Sequence, residues 1–150
     1  MSEITWVCKA FASLTAAEIY EALKLRSEVF VVEQNCVYLD LDDKDQDSYH
    51  LFGWKDDNLH AYARILPPGL AFEEASIGRV VSSPASRKTG AGRALMNKAI
   101  EETFSLFGTQ DIKIGAQLYL LDFYGSLGFK QVSDPYLEDG IQHIKMILSK

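Results

Sequence analysis

Cysteine is scarce in this chain: Cys8 and Cys36 are the two among 150 residues. They form no CxxC pair and stand near no cluster of histidines. That excludes a disulfide-stapled scaffold and a cysteine-based zinc site, and both read as reduced structural thiols. Basic residues are outnumbered, 15 Lys and Arg against 21 Asp and Glu, for a net charge of -6. Nucleic-acid phosphates call for a basic surface, so a nucleic-acid partner is not expected. Apolar runs are short; Val29 to Val32 is among the longest and falls far below a membrane span. The opening Met1-Ser2-Glu3-Ile4 has no basic n-region followed by an apolar stretch, so no secretory signal is read and a cytoplasmic location is expected.

What is present is ordinary globular material, 47% apolar and 24% charged, which excludes disorder. No repeat, low-complexity stretch or linker divides it, so a single domain over residues 1–150 is expected. No metal site is read. His50, His60 and His143 lack ligand spacing, and the acidic run Asp40 to Asp47 lacks the glycine and terminal glutamate of a calcium loop. That run is expected as a solvated loop, able to line an acceptor mouth and favour a cationic acceptor.

A short strand is expected at Ile4 to Cys8. Thr15-Ala16-Ala17-Glu18 is a capping box opening a helix whose apolar face carries Ile19, Leu23, Arg26 and Phe30, widened by Leu25 and Val29. Leu51 to Lys55 and Leu59 to Leu66 form a hairpin about Asp56-Asp57-Asn58, and Pro67-Pro68-Gly69 stops its second strand. Ala75 to Ser82 is a further strand. The helix that follows buries Ala91, Leu95, Ala99 and Thr103, with Met96, Ile100 and Phe107 beside them, and ends at Gly108. Ile112 to Ala116 is a strand, Leu118 to Leu127 a helix, and Phe129 to Val132 and Ile141 to Leu148 are closing strands. The fold class is α/β (α+β): a mixed, mostly antiparallel sheet of six or seven strands flanked by helices.

Between a strand and an amphipathic helix lies Arg87-Lys88-Thr89-Gly90-Ala91-Gly92. Glycines admit a phosphate close to the backbone, and a helix start offers free N–H groups and the positive end of its dipole. With Arg87, Lys88 and Arg93 the turn makes a pyrophosphate site; a purely structural tight turn is the alternative. The P-loop and the dinucleotide Gly-x-Gly-x-x-Gly patterns are absent.

Arg-x-x-Gly-x-Gly after a strand, followed by a helix, a strand and Phe123-Tyr124-Gly125-Ser126-Leu127-Gly128-Phe129, resembles the GNAT superfamily of N-acetyltransferases. Leu25 to Gln34, Tyr62 to Leu66, Ile77 to Val81, Ala116-Gln117 and Glu138 to Ile141 with His143 extend the likeness to an ElaA-like branch. The resemblance covers nearly the whole chain. It implies the acyl-coenzyme A N-acyltransferase fold, acetyl-coenzyme A as cosubstrate, an amine-bearing small molecule or peptide as acceptor, and no metal.

It also implies roles. The strand end Val80-Val81-Ser82 would pair with the pantetheine arm, and the Val81 N–H would polarise the thioester carbonyl. Arg87, Lys88, Thr89, Gly90, Ala91, Gly92 and Arg93 would hold the pyrophosphate. Lys88 stands where the pattern often has glycine, and would either crowd the turn or add a phosphate contact. Gln117 stands where relatives place a coenzyme-binding asparagine, and Tyr119 where the branch tends to carry a histidine. Tyr124 would protonate the departing thiolate; otherwise it is an aromatic anchor for the last helix. For the base, Glu33 is placed first, given a raised pKa if part-buried, and His143 second, with Glu28 and Glu138 behind them. Arg26, Arg64 and Arg79 are expected in a buried network with Glu28 or Asp139. Direct sequential transfer without a cysteine intermediate is expected, a homodimer is possible, and the rival is a non-catalytic acyl-coenzyme A-binding or sensing module on the same fold.

Overall fold

The computed structural model describes residues 3–108 and 110–149. Its first long-range pairing is set by Asp56 and Asp57, whose φ angles of 51° and 65° are left-handed. That is the conformation of a tight hairpin turn, which aspartate tolerates better than most side chains. The turn folds β2 (Tyr49–Lys55) antiparallel onto β3 (Asn58–Leu66). β1 (Thr5–Ala10) takes the free edge of β2, and β4 (Ser76–Ser82) that of β3.

A second antiparallel group forms about β8 (Ile141–Leu148). It pairs with β5 (Ile112–Gln117), with β6 (Lys130–Gln131) and with β7 (Tyr136–Glu138). The described residues thus hold eight strands rather than six or seven. β6 and β7, at two and three residues, are too short to show an alternating pattern.

Thr15 caps α1 (Ala16–Arg26) as the capping box predicts: its hydroxyl accepts from the Glu18 N–H at 3.1 Å, and Glu18 accepts from the Thr15 N–H at 2.8 Å. Beyond Arg26 the chain widens into a π-helical segment, Ser27–Glu33, ending with the Gln34 N–H on the Val29 carbonyl. The inward face differs from the one expected: Ala22, Leu25, Arg26 and Val29 are the buried residues, the first three of them within α1 ahead of the π-helical segment. α2 (Ala91–Phe107) buries Ala91, Leu95, Met96, Ala99 and Thr103, close to the expected set. α3 (Leu121–Ser126) follows a 3-10 turn at Leu118–Leu120.

Alternation along the strands sorts side chains to two faces. Ala63, Ile65, Ile112, Ile114, Ile144 and Met146 pack against Leu95, Met96 and Ala99 of α2 and Tyr124 of α3. On the opposite face Phe52, Tyr62 and Val81 pack against Ala22, Leu25 and Val29. The two strand groups touch at β4 and β5, where Ala75 bridges Ile112 in parallel and its carbonyl accepts from the Lys113 N–H at 2.9 Å.

Candidate active site

Past that bridge β4 and β5 part, and a cleft of about 830 Å³ opens between them. Val80, Ala116, Gln117 and Tyr124 line one part of it; Arg79, Tyr136, His143 and Lys145 line another. Ladder geometry fixes which backbone groups face the opening. The Ser83 N–H donates to the His60 carbonyl at 2.8 Å, so Ser83 faces β3. Backbone groups alternate sides along an antiparallel strand. Val81, opposite Tyr62, therefore also faces β3, while the backbone groups of Val80 and Ser82 turn to the other edge of β4, where Val80 lines the cleft. The role expected of the Val81 N–H is corrected accordingly: that donor belongs to the ladder, and the donors turned away from β3 are those of Val80 and Ser82. A bulge just before them sets Arg79 and Val80 against the single residue Ala63, with Arg79 at a left-handed φ of 50°.

The glycine-rich turn stands at the same end of the cleft, between β4 and α2. Gly90 is the N-cap of α2 at φ 83°, and no side chain caps the helix, so its first amides keep their donors free. At Gly92 the backbone angle is not left-handed, and a Cβ would meet nothing within 4 Å. The fold itself does not require glycine there. A phosphate lying against the helix start would, which is how this turn fits the coenzyme. Lys88 takes φ 65°, the conformation glycine adopts freely, and its side chain is exposed, so it leaves the turn uncrowded. Thr89 braces the turn by donating its hydroxyl hydrogen to the Ser86 carbonyl.

Of the basic residues expected here, Arg93 leans on α3: it donates to the Ser126 hydroxyl at 2.9 Å and lies over the Phe123 ring. Arg87 grips Glu33 with both terminal nitrogens, at 2.6 and 2.5 Å. This overturns the case for Glu33 as a base of raised pKa. The carboxylate is exposed, lies outside the cleft lining, and is held below its ordinary range by the hydrogen bonds and charge of Arg87.

Tyr124 is 7% exposed and lines the cleft, set edge-on against Phe123 and Phe129. Burial, then the neighbouring Tyr119, pushes its phenol up to about 12. Gln117 donates to the Gln34 side chain at 3.4 Å, joining the end of β5 to the segment after the π-helix. Tyr119 is largely exposed. Cys8 sits on β1 with its thiol raised to about 11, first by burial and then by Glu102. Cys36 lines the cleft, and its thiol donates to the Asp139 carbonyl at 3.3 Å.

His143 faces the other side of the sheet from α2, beside Tyr136. Its Nδ1 lies 2.8 Å from the Ile141 carbonyl, which can only accept, so Nδ1 carries a proton and Nε2 is the ring nitrogen left outside that bond. Nε2 lies 3.6 Å from the Glu138 carboxylate. Of the two bases ranked first, His143 is the one the fold brings to the cleft.

Three arginines stand behind this wall in a closed network. Arg26 donates to Asp40 and Asp45, both at 2.8 Å. Arg64 holds Asp42 at 2.7 and 2.8 Å and Asp45 at 2.9 Å, and Arg79 holds Asp40 at 2.7 Å. The buried network is as expected, but its carboxylates are not those of Glu28 or Asp139. Asp40, Asp42 and Asp45 are thus counter-charges to these arginines rather than part of a solvated loop, with Asp42 also in the cleft lining, while Asp43 and Asp47 of the same run are exposed. Burial alone would raise Asp42; the bonds and charge of Arg64, the Lys44 N–H and Arg79 outweigh it and hold the carboxyl well below its usual range.

A splayed pair of parallel strands beside a glycine-led helix is the arrangement to compare. A family model described as the acetyltransferase (GNAT) domain matches residues 12–150. This chain belongs to the GNAT acetyltransferase family. It is 44% identical over 146 residues to a UPF0039 protein of Synechocystis, covering 97% of this chain and 95% of that protein. The crystal structure of an acyl-CoA N-acyltransferase from Pseudomonas aeruginosa matches with a TM-score of 0.93 at 43% identity, over 97% of this chain and 99% of that one. That of Escherichia coli ElaA matches at 0.91 and 42% identity with the same coverage.

Two parts of this GNAT site were not read from sequence. Tyr136 sits on a three-residue strand, and its sole local signal is the turn after it, where Asp139 and Gly140 take left-handed angles of 51° and 78°. Lys145 is one of several lysines until the register of β8 places it opposite Gly115. Among the described residues no group of three or more His, Cys, Asp or Glu could hold a metal ion, and no helix is long and apolar enough to cross a membrane.

Proposed function

We propose that the protein transfers the acetyl group of acetyl-coenzyme A to an amine, with both substrates bound together. The coenzyme supplies an activated acyl group as a thioester; the chain supplies the rest. The free amides at the start of α2, with Arg87 and Lys88, hold the pyrophosphate. The Val80 N–H, aimed into the cleft from the bulge, donates to the carbonyl oxygen where negative charge builds. His143 Nε2 takes the proton of the attacking amine, with Glu138 beside it. The new C–N bond forms as the C–S bond breaks, and Tyr124 donates its proton to the departing sulfur. A phenol at about 12 stays protonated at neutral pH. The same burial would raise the thiol formed beside it, which offsets the weaker acidity of the buried phenol.

The observation that carries this reading is Tyr124, a buried phenol on the wall of the cleft whose hydroxyl makes no hydrogen bond among the described residues. Calorimetric titration with acetyl-coenzyme A, followed by an amine screen reading free thiol, tests it. Tyr124→Phe should keep the coenzyme affinity and lower turnover by about 10²–10⁴-fold. Equal turnover in the phenylalanine variant would remove Tyr124 from the chemistry. Folded protein that binds coenzyme but acetylates no amine would point to a sensing module.

A further inference from the structure

The part of the cleft on the His143 side carries charges of opposite sign at its two ends. His143 and Lys145 alternate to the same face of β8, two residues and about 7 Å apart. At the first position stand His143 and the Glu138 carboxylate. At the second, the Lys145 ammonium lies 5.6 Å from the Tyr136 ring centre and 5.9 Å from that of Phe72. Among the described residues it has no carboxylate within ion-pair distance. The Tyr136 hydroxyl also makes no hydrogen bond there, and it rests over β5 where a Cβ on Gly115 would meet it at 3.2 Å.

An ammonium and a phenol donor therefore line a cavity wall without an acceptor between them. Arg64 and Arg79, the other cations nearby, are consumed by Asp40, Asp42 and Asp45. Among the described residues Lys44 and Asp139, both in the cleft lining, likewise form no ion pair and offset each other in charge, which leaves Lys145 as the unmatched cation of this wall. Glu138 is the counterweight, but it is turned to His143.

We propose, resting on the acyltransferase reading above, that the acceptor is an amine that carries a carboxylate. Its amino end is drawn to Glu138 and gives its proton to His143, and its carboxylate is taken by Lys145 and the Tyr136 hydroxyl. A cationic acceptor without an anionic end would leave Lys145 opposed to it rather than matched.

Binding tests this without turnover. Glycine, β-alanine and 4-aminobutyrate, each with its primary amide, are titrated into the protein by ligand-observed NMR. At least one acid should bind fivefold or more tighter than its amide. The preference should fall below twofold in Lys145→Met and persist in Lys145→Arg, with the melting temperature lowered by less than about 8 °C, since Lys145 holds two ring contacts and, among the described residues, no ion pair. A preference under fivefold in every pair, or one that survives Lys145→Met, overturns the proposal. Acetyl-coenzyme A is titrated into the same samples: failure to bind it would sink the acyltransferase reading and leave the acid–amide comparison standing separately.

Discussion

Arginine meets carboxylate in two places near this cleft, and the two contacts are opposite in kind. In the network of Arg26, Arg64 and Arg79, the arginine side chains are 1%, 4% and 23% exposed, and each holds two of the three aspartates. At the glycine-rich turn, Arg87 and Glu33 are 39% and 43% exposed and hold only each other. Burial decides what such a pair is for. Charges already taken out of water cannot be parted without stranding one of them, so the network is scaffold. The exposed pair is screened by water and salt and is replaceable. A pyrophosphate offers Arg87 the same planar grip with more charge.

The comparison breaks first at Asp45, which holds Arg26 and Arg64 together. Asp45→Ala should destabilise the fold by about 3–5 kcal/mol, seen as a fall in melting temperature of about 6–20 °C. Acid should act on the same place. Burial alone would raise Asp45, but Arg26 and then Arg64 hold its carboxyl below the ordinary value, as with Asp42. A depressed pKa contributes stability that is present above the ordinary value, 3.8, and lost as pH falls below it. His50 is likewise lowered, chiefly by burial, so it begins to cost stability below its ordinary 6.5. Urea midpoints should decline gently from pH 7 to 5 and steeply below about 4. A flat profile to pH 3 would mean the network is not linked to folding.

The exposed pair should respond in binding, not in stability. Arg87→Ala should weaken acetyl-coenzyme A by about 10–100-fold, the range of a lost charge-assisted contact, with an unchanged melting temperature. Glu33→Gln should tighten it severalfold by removing the resident competitor, and weaker binding in that variant would count against displacement. Gly92→Ala should alter the fold only slightly, since open space and ordinary helical geometry should raise the melting temperature by up to about 3 °C while coenzyme affinity falls. Undiminished affinity would show that no ligand approaches Gly92.

The same contrast explains what the sequence could disclose. The capping box at Thr15, the Asp56-Asp57 turn, the buried stripe of α2 and the glycine-rich turn are each encoded within a few residues, and each stands where its local pattern puts it. The network joins residues 14 to 39 positions apart. An acidic run of eight residues looks solvated until the arginines that neutralise it are brought over it. Glu33 follows an apolar run and reads as half-buried, but the π-helical turns rotate it outward to Arg87. Whether Val80 or Val81 turns its amide to the cleft is decided by a bulge and a ladder rather than by a motif. Tyr136 and Lys145 depend on the register of β8, which no local signal announces.

The parallel bridge between Ala75 and Ile112 has a mechanical consequence. With β4 and β5 joined there and parted above, and α2 packed across both sheets, the bridge acts as the foot from which the two strands diverge. Ser76 to Ser82 gives an arm of about 20 Å. A rotation of about 5° at the bridge would move the Val80–Ser82 end by somewhat under about 2 Å, the difference between a hydrogen bond and none. Substitutions far from either substrate, at the foot of the strands, would thereby set the width of the gap in which the reaction is proposed to occur.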